Sequence, residues 1–382
     1  MAVGTATGYS GILGAVKEAT FRTPVNINTR IPVISESISD AIKMIEQETL
    51  MGYPGRDILD AGPISVTGSV DTEVRFTTAN SGRTIFFGND LLVALAMGAC
   101  TWHAGSSTNI LKLNDDQDKF GTIAIHKKIA IWEFVSCFFK GFKFSGKAGE
   151  IWKTSFDAVA YKVTRGDPSS GGQQNKQAQF DALNITAGKR ALFGDSTFIL
   201  APAGTAWGGS ENNYRLGLGE FGLNYESGLT DPEFSTPDAA GSHTDASLTI
   251  QPVRGGFRKA ELEFTLPRYQ DLSGGAYQWG SQLLAWKDAQ TPLQLVGTIQ
   301  PSGDSTRIVK AMCPYLIITS IDAAIGSPAP ASMKVKASLL RGAGRNTVVT
   351  DAAGSSIAEE FQIEFKNSNN TSAEYGRNAA IF

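Results

Sequence analysis

Residues 64–76 read ISVTGSVDTEVRF. Val66, Val70 and Val74 fall on one side of an extended chain, and Thr67, Ser69, Asp71 and Glu73 on the other. Successive side chains of a strand point to opposite faces, so the stretch predicts a strand with one face toward a core and one toward water. Just downstream, FFGNDLLVALAMG (86–98) predicts a short helix, with Asn89 or Asp90 near its start and Gly98 at its stop. The same order returns later in the chain. RKAELEFTLPRY (258–269) places Leu262, Phe264 and Leu266 at two-residue spacing, and AYQWGSQLLAWKDAQ (276–290) predicts a second helix. Gly88 and Gly280, Leu91 and Leu283, and Leu92 and Leu284 stand a constant 192 residues apart. At that offset Val70 falls on Leu262 and Val74 on Leu266. The identities are few, and the repeated order of elements carries the argument. It predicts an internal duplication into two similarly folded β-rich halves that divide near 165–190.

Working outward, strand-like segments are read at 123–139, 142–146 and 151–163, with Trp152, Thr154, Phe156, Ala158 and Ala160 on one face of the last. PYLIITSIDAAI (314–325) and SMKVKASLL (332–340) predict a hairpin around GSPAP (326–330). EEFQIEFKN (359–367) alternates Phe361, Ile363 and Phe365. HAGSSTNILKLNDDQDKF (103–120) reads as an inserted loop. The stretch 31–63 reads as a short helix over its middle, with Ile38, Ile42 and Ile45 at roughly helical spacing, or as a long loop closed by YPG at 53–55. RGDPSSGGQQNKQAQ (165–179) has a linker composition. The expected organisation is an N-terminal arm (1–27), a first β domain (28–164), a linker (165–182), a second β domain (183–340), and a C-terminal strand and tail (341–382).

A chain of 382 residues is long enough for two cores, and 42% apolar residues suffice to build them. Many glycines (41) with few charged residues (19%) suit a turn-rich all-β chain. The net charge of −3 lacks the basic excess of a protein that grips a nucleic-acid backbone. Cys100, Cys137 and Cys313 fit neither a disulfide framework nor a C-x-x-C metal site, so they read as reduced thilols of a chain made in a reducing cytoplasm. The start, MAVGTATGYSGILGAVKEAT, carries no basic residue before Lys17 and no long apolar run, so no export signal is expected. IAIWEFVSCFF (129–139) is short and contains Glu133, which excludes a transmembrane helix there.

Chemistry-bearing motifs are sparse. His103, His126 and His243 stand far apart, and neither G-x-S-x-G nor H-E-x-x-H occurs. GFKFSGKA (141–148) falls one residue short of a phosphate-binding loop: Ala148 stands where a magnesium-holding hydroxyl is needed, and SGKAG reads as a hairpin turn. The RGD at 165–167 reads as a chance tripeptide. Carboxylates gather at Glu36, Asp40, Glu46 and Glu48 and at Asp115, Asp116 and Asp118, without a calcium-loop spacing; they read as solvated loops, the first group able to repel phosphate. No catalytic residue, cofactor or metal site is expected.

The succession KEATFRTP (17–24), IPVISESI (31–38), ETLMGYPGRD (48–57), SVTGSV (65–70) and FGNDLLVALAMG (87–98), followed by a hairpin near 142–163, resembles the phage major tail (tail tube) proteins. The resemblance covers 28–163, with 214–367 as a looser second copy. It implies a mainly β fold of two tandem tail-tube-like β-sandwich or barrel domains, each with one flanking α-helix. It further implies subunits that join their sheets edge to edge into a ring, and rings that stack into a conduit for DNA. The location implied is the virion tail, after synthesis in the host cytoplasm. The partners implied are other copies of the chain, the tape measure protein, and the tail terminator and distal tail proteins. DNA is implied only as non-specific cargo in transit, and no membrane anchor is implied. Two fused copies would let three chains fill a pseudo-six-fold ring. Segments 36–62 and 226–256 are the expected ring-stacking loops, with Ile42, Met44, Ile45, Glu46, Glu48, Leu50 and Met51 as stacking residues. Two other classes fit less well. An outer-membrane β-barrel or surface adhesin is favoured by the many strands and the terminal Phe382, and opposed by mixed alternation and the missing signal. An enzyme acting on carbohydrates or nucleotides is opposed by the lack of an acid/base pair or a phosphate motif.

Overall fold

Val66, Val70 and Val74 are 1%, 0% and 0% exposed, so the alternation at 64–76 marks the inward face of a strand. The computed structural model describes residues 11–46, 59–76, 87–116, 119–185, 188–206, 211–231, 233–235, 248–267, 279–323 and 332–367. The first strands are β1 (Ile12–Lys17), β2 (Thr29–Ile31), β3 (Val33–Glu36), β4 (Ser39–Glu46), β5 (Leu59–Glu73) and the two-residue β6 (Arg75–Phe76). Helix α1 (Asp90–Met97) precedes β7 (Gly98–His103), β8 (Thr108–Leu113), β9 (Gly121–His126), β10 (Ile131–Lys147) and β11 (Lys153–Gly166). A short helix α2 (Gln177–Asp181) leads to β12 (Lys189–Arg190), β13 (Ser196–Pro202), β14 (Glu220–Glu226), β15 (Phe234–Ser235) and β16 (Leu248–Thr249). The chain continues through β17 (Lys259–Leu266), helix α3 (Trp279–Asp288), β18 (Leu293–Ile299), β19 (Arg307–Asp322), β20 (Met333–Leu339) and β21 (Gln362–Asn367).

The molecule is mainly β, built on one large antiparallel sheet; only the pairs β6–β12 and β15–β16 stand apart from it. In the first half the neighbours run β5, β11, β10, β9. In the second they run β17, β20, β19, β18. The order is the same, and each half carries its helix between the first of these strands and the last. β21 extends the sheet from β19 to β8 and β7, while β1 and β2 extend it from β9. Among the described residues no ladder returns to its starting strand, so the sheet branches and does not close into a barrel.

A single large apolar cluster runs through both halves, with Phe139, Trp152 and Phe156 from the first and Phe221, Leu262, Leu295 and Phe361 from the second. Trp152 stacks on Phe144 (4.8 Å between ring centres) and meets Phe221 edge-on (5.7 Å). Each such side chain contributes roughly 1.5–3 kcal/mol when fully buried. Every residue of α1 is buried, Gly98 ends the helix in the left-handed region (φ 87°), and Asn89 Nδ2 before it donates to Thr154 Oγ1 (2.6 Å).

Three stretches differ from their sequence reading. Residues 31–46 are strands, neither helix nor loop. Ile38 is 1% exposed but Ile42 and Ile45 are 48% and 53% exposed, so the three share no buried helical face, and antiparallel pairing with β5 takes over. The YPG turn at 53–55 lies outside the described residues. The insert 103–120 is largely ordered: β7 and β8 form a hairpin whose second strand pairs with β21. The connecting segment 165–182 is docked. The Glu133 carboxylate accepts hydrogen bonds from the backbone N–H groups of Gln174 (2.9 Å) and Asn175 (2.7 Å) and from Asn175 Nδ2 (2.7 Å), and Phe180 is 2% exposed. Polar composition had disguised it, because buried amides hold it in place and apolar periodicity does not.

Candidate assembly interface

EFGLNYE (220–226) turns Phe221, Leu223 and Tyr225 inward, 3%, 0% and 1% exposed. This strand, β14, joins the two halves. One edge pairs with β17, Leu223 opposite Leu262; the other pairs with the C-terminal part of β10, Gly141 opposite Glu226 through Lys147 opposite Glu220. The backbones are close enough that a Cβ at Gly141 would collide with the Tyr225 carbonyl oxygen. β10 thus changes neighbour along one edge, from β9 over Ile131–Cys137 to β14 over Gly141–Lys147, with a bulge between Phe139 and Gly141. Sequence reading had passed over β14, although its alternation was a visible signal.

The first half has a counterpart of β14 in β3–β4. Glu36 pairs with Val70 and Ser39 with Thr67, while Leu223 pairs with Leu262 and Glu226 with Lys259. Glu36 to Leu223 and Ser39 to Glu226 are the same 187 residues apart. The outer edge of β14 is taken by β10, whereas β3 and β4 pair only with β5 among the described residues. At the far end of the sheet, β19 pairs with β18 only up to Leu316, so the edge of 317–321 on that side has no described strand against it. Such edges present unpaired N–H and C=O groups ready to join another strand.

Of the expected stacking residues, Ile42 (48% exposed), Met44 (46%) and Ile45 (53%) project from the β4–β5 hairpin, joined by Ile64 (40%). The side chain of Glu46 and the residues Glu48, Leu50 and Met51 lie outside the described residues, as does most of 226–256 beyond β14 and its exit.

The outward face of the central strands is polar and carries several ion pairs. Lys147 meets Glu220 (2.7 Å), Lys336 and Lys334 meet Glu263 (2.8 and 3.4 Å), and Lys259 meets Glu261 (3.1 Å). Glu220 beside it pushes the Lys147 ammonium's pKa up. GFKFSGKA itself is the end of β10 and a turn, closed by the Glu150 N–H donating to the Lys147 carbonyl (2.9 Å). Both charged residues of RGD are exposed but engaged within the chain: Arg165 pairs with Asp40 and lies 4.1 Å over the Trp132 ring, and Asp167 accepts from the Ser169 and Ser170 hydroxyl and N–H groups, which pulls its pKa to about 2. Glu36 pairs with Lys127 (2.7 Å) and Asp115 with Arg258 (3.2 Å). His103 Nδ1 meets Ser106 Oγ (2.7 Å) and His126 Nε2 meets Gln177 Oε1 (2.6 Å), so the two are held in separate local contacts; His243 lies outside the described residues. Cys137 and Cys313 are fully buried thiols whose pKa burial pushes up. Among the described residues no His, Cys, Asp and Glu side chains gather into a metal-binding group, and no helix is long and apolar enough to cross a membrane. A scan against family models finds no match for the chain, and a search of curated proteins finds none.

Proposed function

We propose that this chain is a structural subunit of a phage tail tube, which assembles with copies of itself into rings that stack into a conduit for DNA. The observation that supports this best is the seam made by β14: two sets of strands with the same order are already joined edge to edge within one sheet, and among the described residues the matching edges at its two ends have no strand against them. In this reading the fold is a fused pair of tube units with one helix each. Three chains fill six positions of a ring, and the exposed Ile42, Met44 and Ile45 of β4 meet the neighbouring ring. Lys147 and Lys336 of the polar face each meet a carboxylate, which tempers their hold on a phosphate backbone. The protein carries out no turnover and takes no cofactor; its other partners are the proteins that close and measure a tail. Negative-stain microscopy of the purified protein tests the reading. Rings with three-fold symmetry, alone or in stacks, are expected. A protein that stays monomeric at high concentration overturns it, and rings of six full-length chains overturn the number three.

A further inference from the structure

We infer that the seam inside the chain is the template for the junction between chains: residues 317–321 of β19 receive β3 and the start of β4 from a second copy of this protein. The inference rests on the assembly reading above and specifies the strands and register that carry it.

The argument runs through the paired ladders. Val70 faces Phe156 and Leu262 faces Ala337, so Phe156 and Ala337 are equivalent. One residue earlier, Ser155 faces Lys143 and Lys336 faces Ser320; then Thr154 faces Phe144 and Val335 faces Ile321; then Lys153 faces Ser145 and Lys334 faces Asp322. Ser320, Ile321 and Asp322 therefore correspond to Lys143, Phe144 and Ser145. Both central strands carry a bulge beside this segment, between Phe139 and Gly141 in β10 and between Ile318 and Ser320 in β19. At the seam Lys143, Phe144 and Ser145 face Asn224, Leu223 and Gly222. The 187-residue offset makes Ser37, Glu36 and Ser35 the counterparts of those three. The expected intermolecular register is Ser320 opposite Ser37 and Ile321 opposite Glu36, antiparallel.

Burial distinguishes the closed edge from the open ones. At the seam Phe144, Phe221 and Leu223 are 1%, 3% and 0% exposed. At the open edges Val33, Ile321 and Ala323 are only half-buried at the rim of the core, and Ile34 is 49% exposed. A strand added there removes those apolar groups from water and pairs the open backbone in the same step. The contact is head-to-tail, since the two surfaces differ, and it closes a ring when the rotation allows. A second copy is the occupant the fold favours, because the chain already carries both partners of the junction.

The test uses the full-length chain with Ser37→Cys and Ser320→Cys together, against each single substitution, under mild oxidation. The double variant is expected to give a ladder of dimers and higher multimers on a denaturing gel, and the single substitutions none. Backbone hydrogen exchange on the unsubstituted protein supplies a second reading. Amides of 141–147 and 220–226 are expected to be protected in the monomer already, while the amides of 33–36 that point away from β5 and those of 317–321 that point away from β20 slow at least tenfold only on assembly. Rings that form without the cross-link and without that protection overturn this junction and leave the tube subunit standing. A chain that never multimerises overturns both.

Discussion

At the scale of single residues, the core side chains carry stability and the buried carboxylates carry pH dependence. Phe156 is 0% exposed and packs on Phe139 (5.3 Å) and Phe142 (6.0 Å). Phe156→Ala should cost about 3–5 kcal/mol in chemical denaturation. Glu18 is 2% exposed and accepts from the Ser136 N–H (2.8 Å), Ser136 Oγ (2.6 Å) and Thr122 Oγ1 (2.6 Å), all neutral donors. Desolvation raises its pKa above 4.5, with the negative charge of Glu133 adding to the rise. A raised carboxyl pKa means the folded chain holds this proton more tightly than the unfolded one. The contribution is therefore complete below pH 4.5 and is lost as pH rises through the folded value. Glu18→Gln can keep all three partners and should flatten that part of the stability–pH curve, measured by denaturation midpoints from pH 4.5 upward. An unchanged curve would assign the pH dependence to Glu364 or Asp157, whose pKa values burial also raises. The buried valines of β5 were legible in the sequence. Glu18 was not, because nothing local distinguishes a carboxylate that will be buried from one that will be solvated.

At the scale of elements, the seam and the hairpin have separable roles. Gly141→Val places side-chain atoms where the Tyr225 carbonyl stands. It should destabilise the fold by about 1–3 kcal/mol and loosen β14 from β10, seen as faster hydrogen exchange over 220–226. The exposed Ile42, Met44 and Ile45 make little contribution to the isolated subunit. Replacing all three by Thr should leave unfolding within about 1 kcal/mol of the original while ring stacking fails in microscopy. Long tubes from that variant would move the stacking role elsewhere. Helices α1 and α3 and strands β5, β11, β17 and β20 were read in the right places because their periodicity is local. β3 and β4 were misread because a short apolar run fits a helix or a strand until its partner is known.

At the scale of the whole molecule, Mg-ATP should give no heat beyond dilution in calorimetry, because the lysine of GFKFSGKA ends strand β10 before a turn and is engaged by Glu220 (2.7 Å). Saturable binding lost in Lys147→Ala would contradict this. The sequence alone determined the β character of the chain and the inward faces of its main strands, and the 192-residue spacing of a few matching residues raised the expectation of two similar halves. The β character and the inward faces depend on alternation within a dozen residues. The tertiary structure decided which strands meet: β14 between β10 and β17, β21 against β8, and one core running through both halves. The physical reason is that a strand's alternation specifies its face but not its neighbour. Any strand of the same pattern can satisfy the same backbone groups, and only the long-range packing of the folded chain selects one.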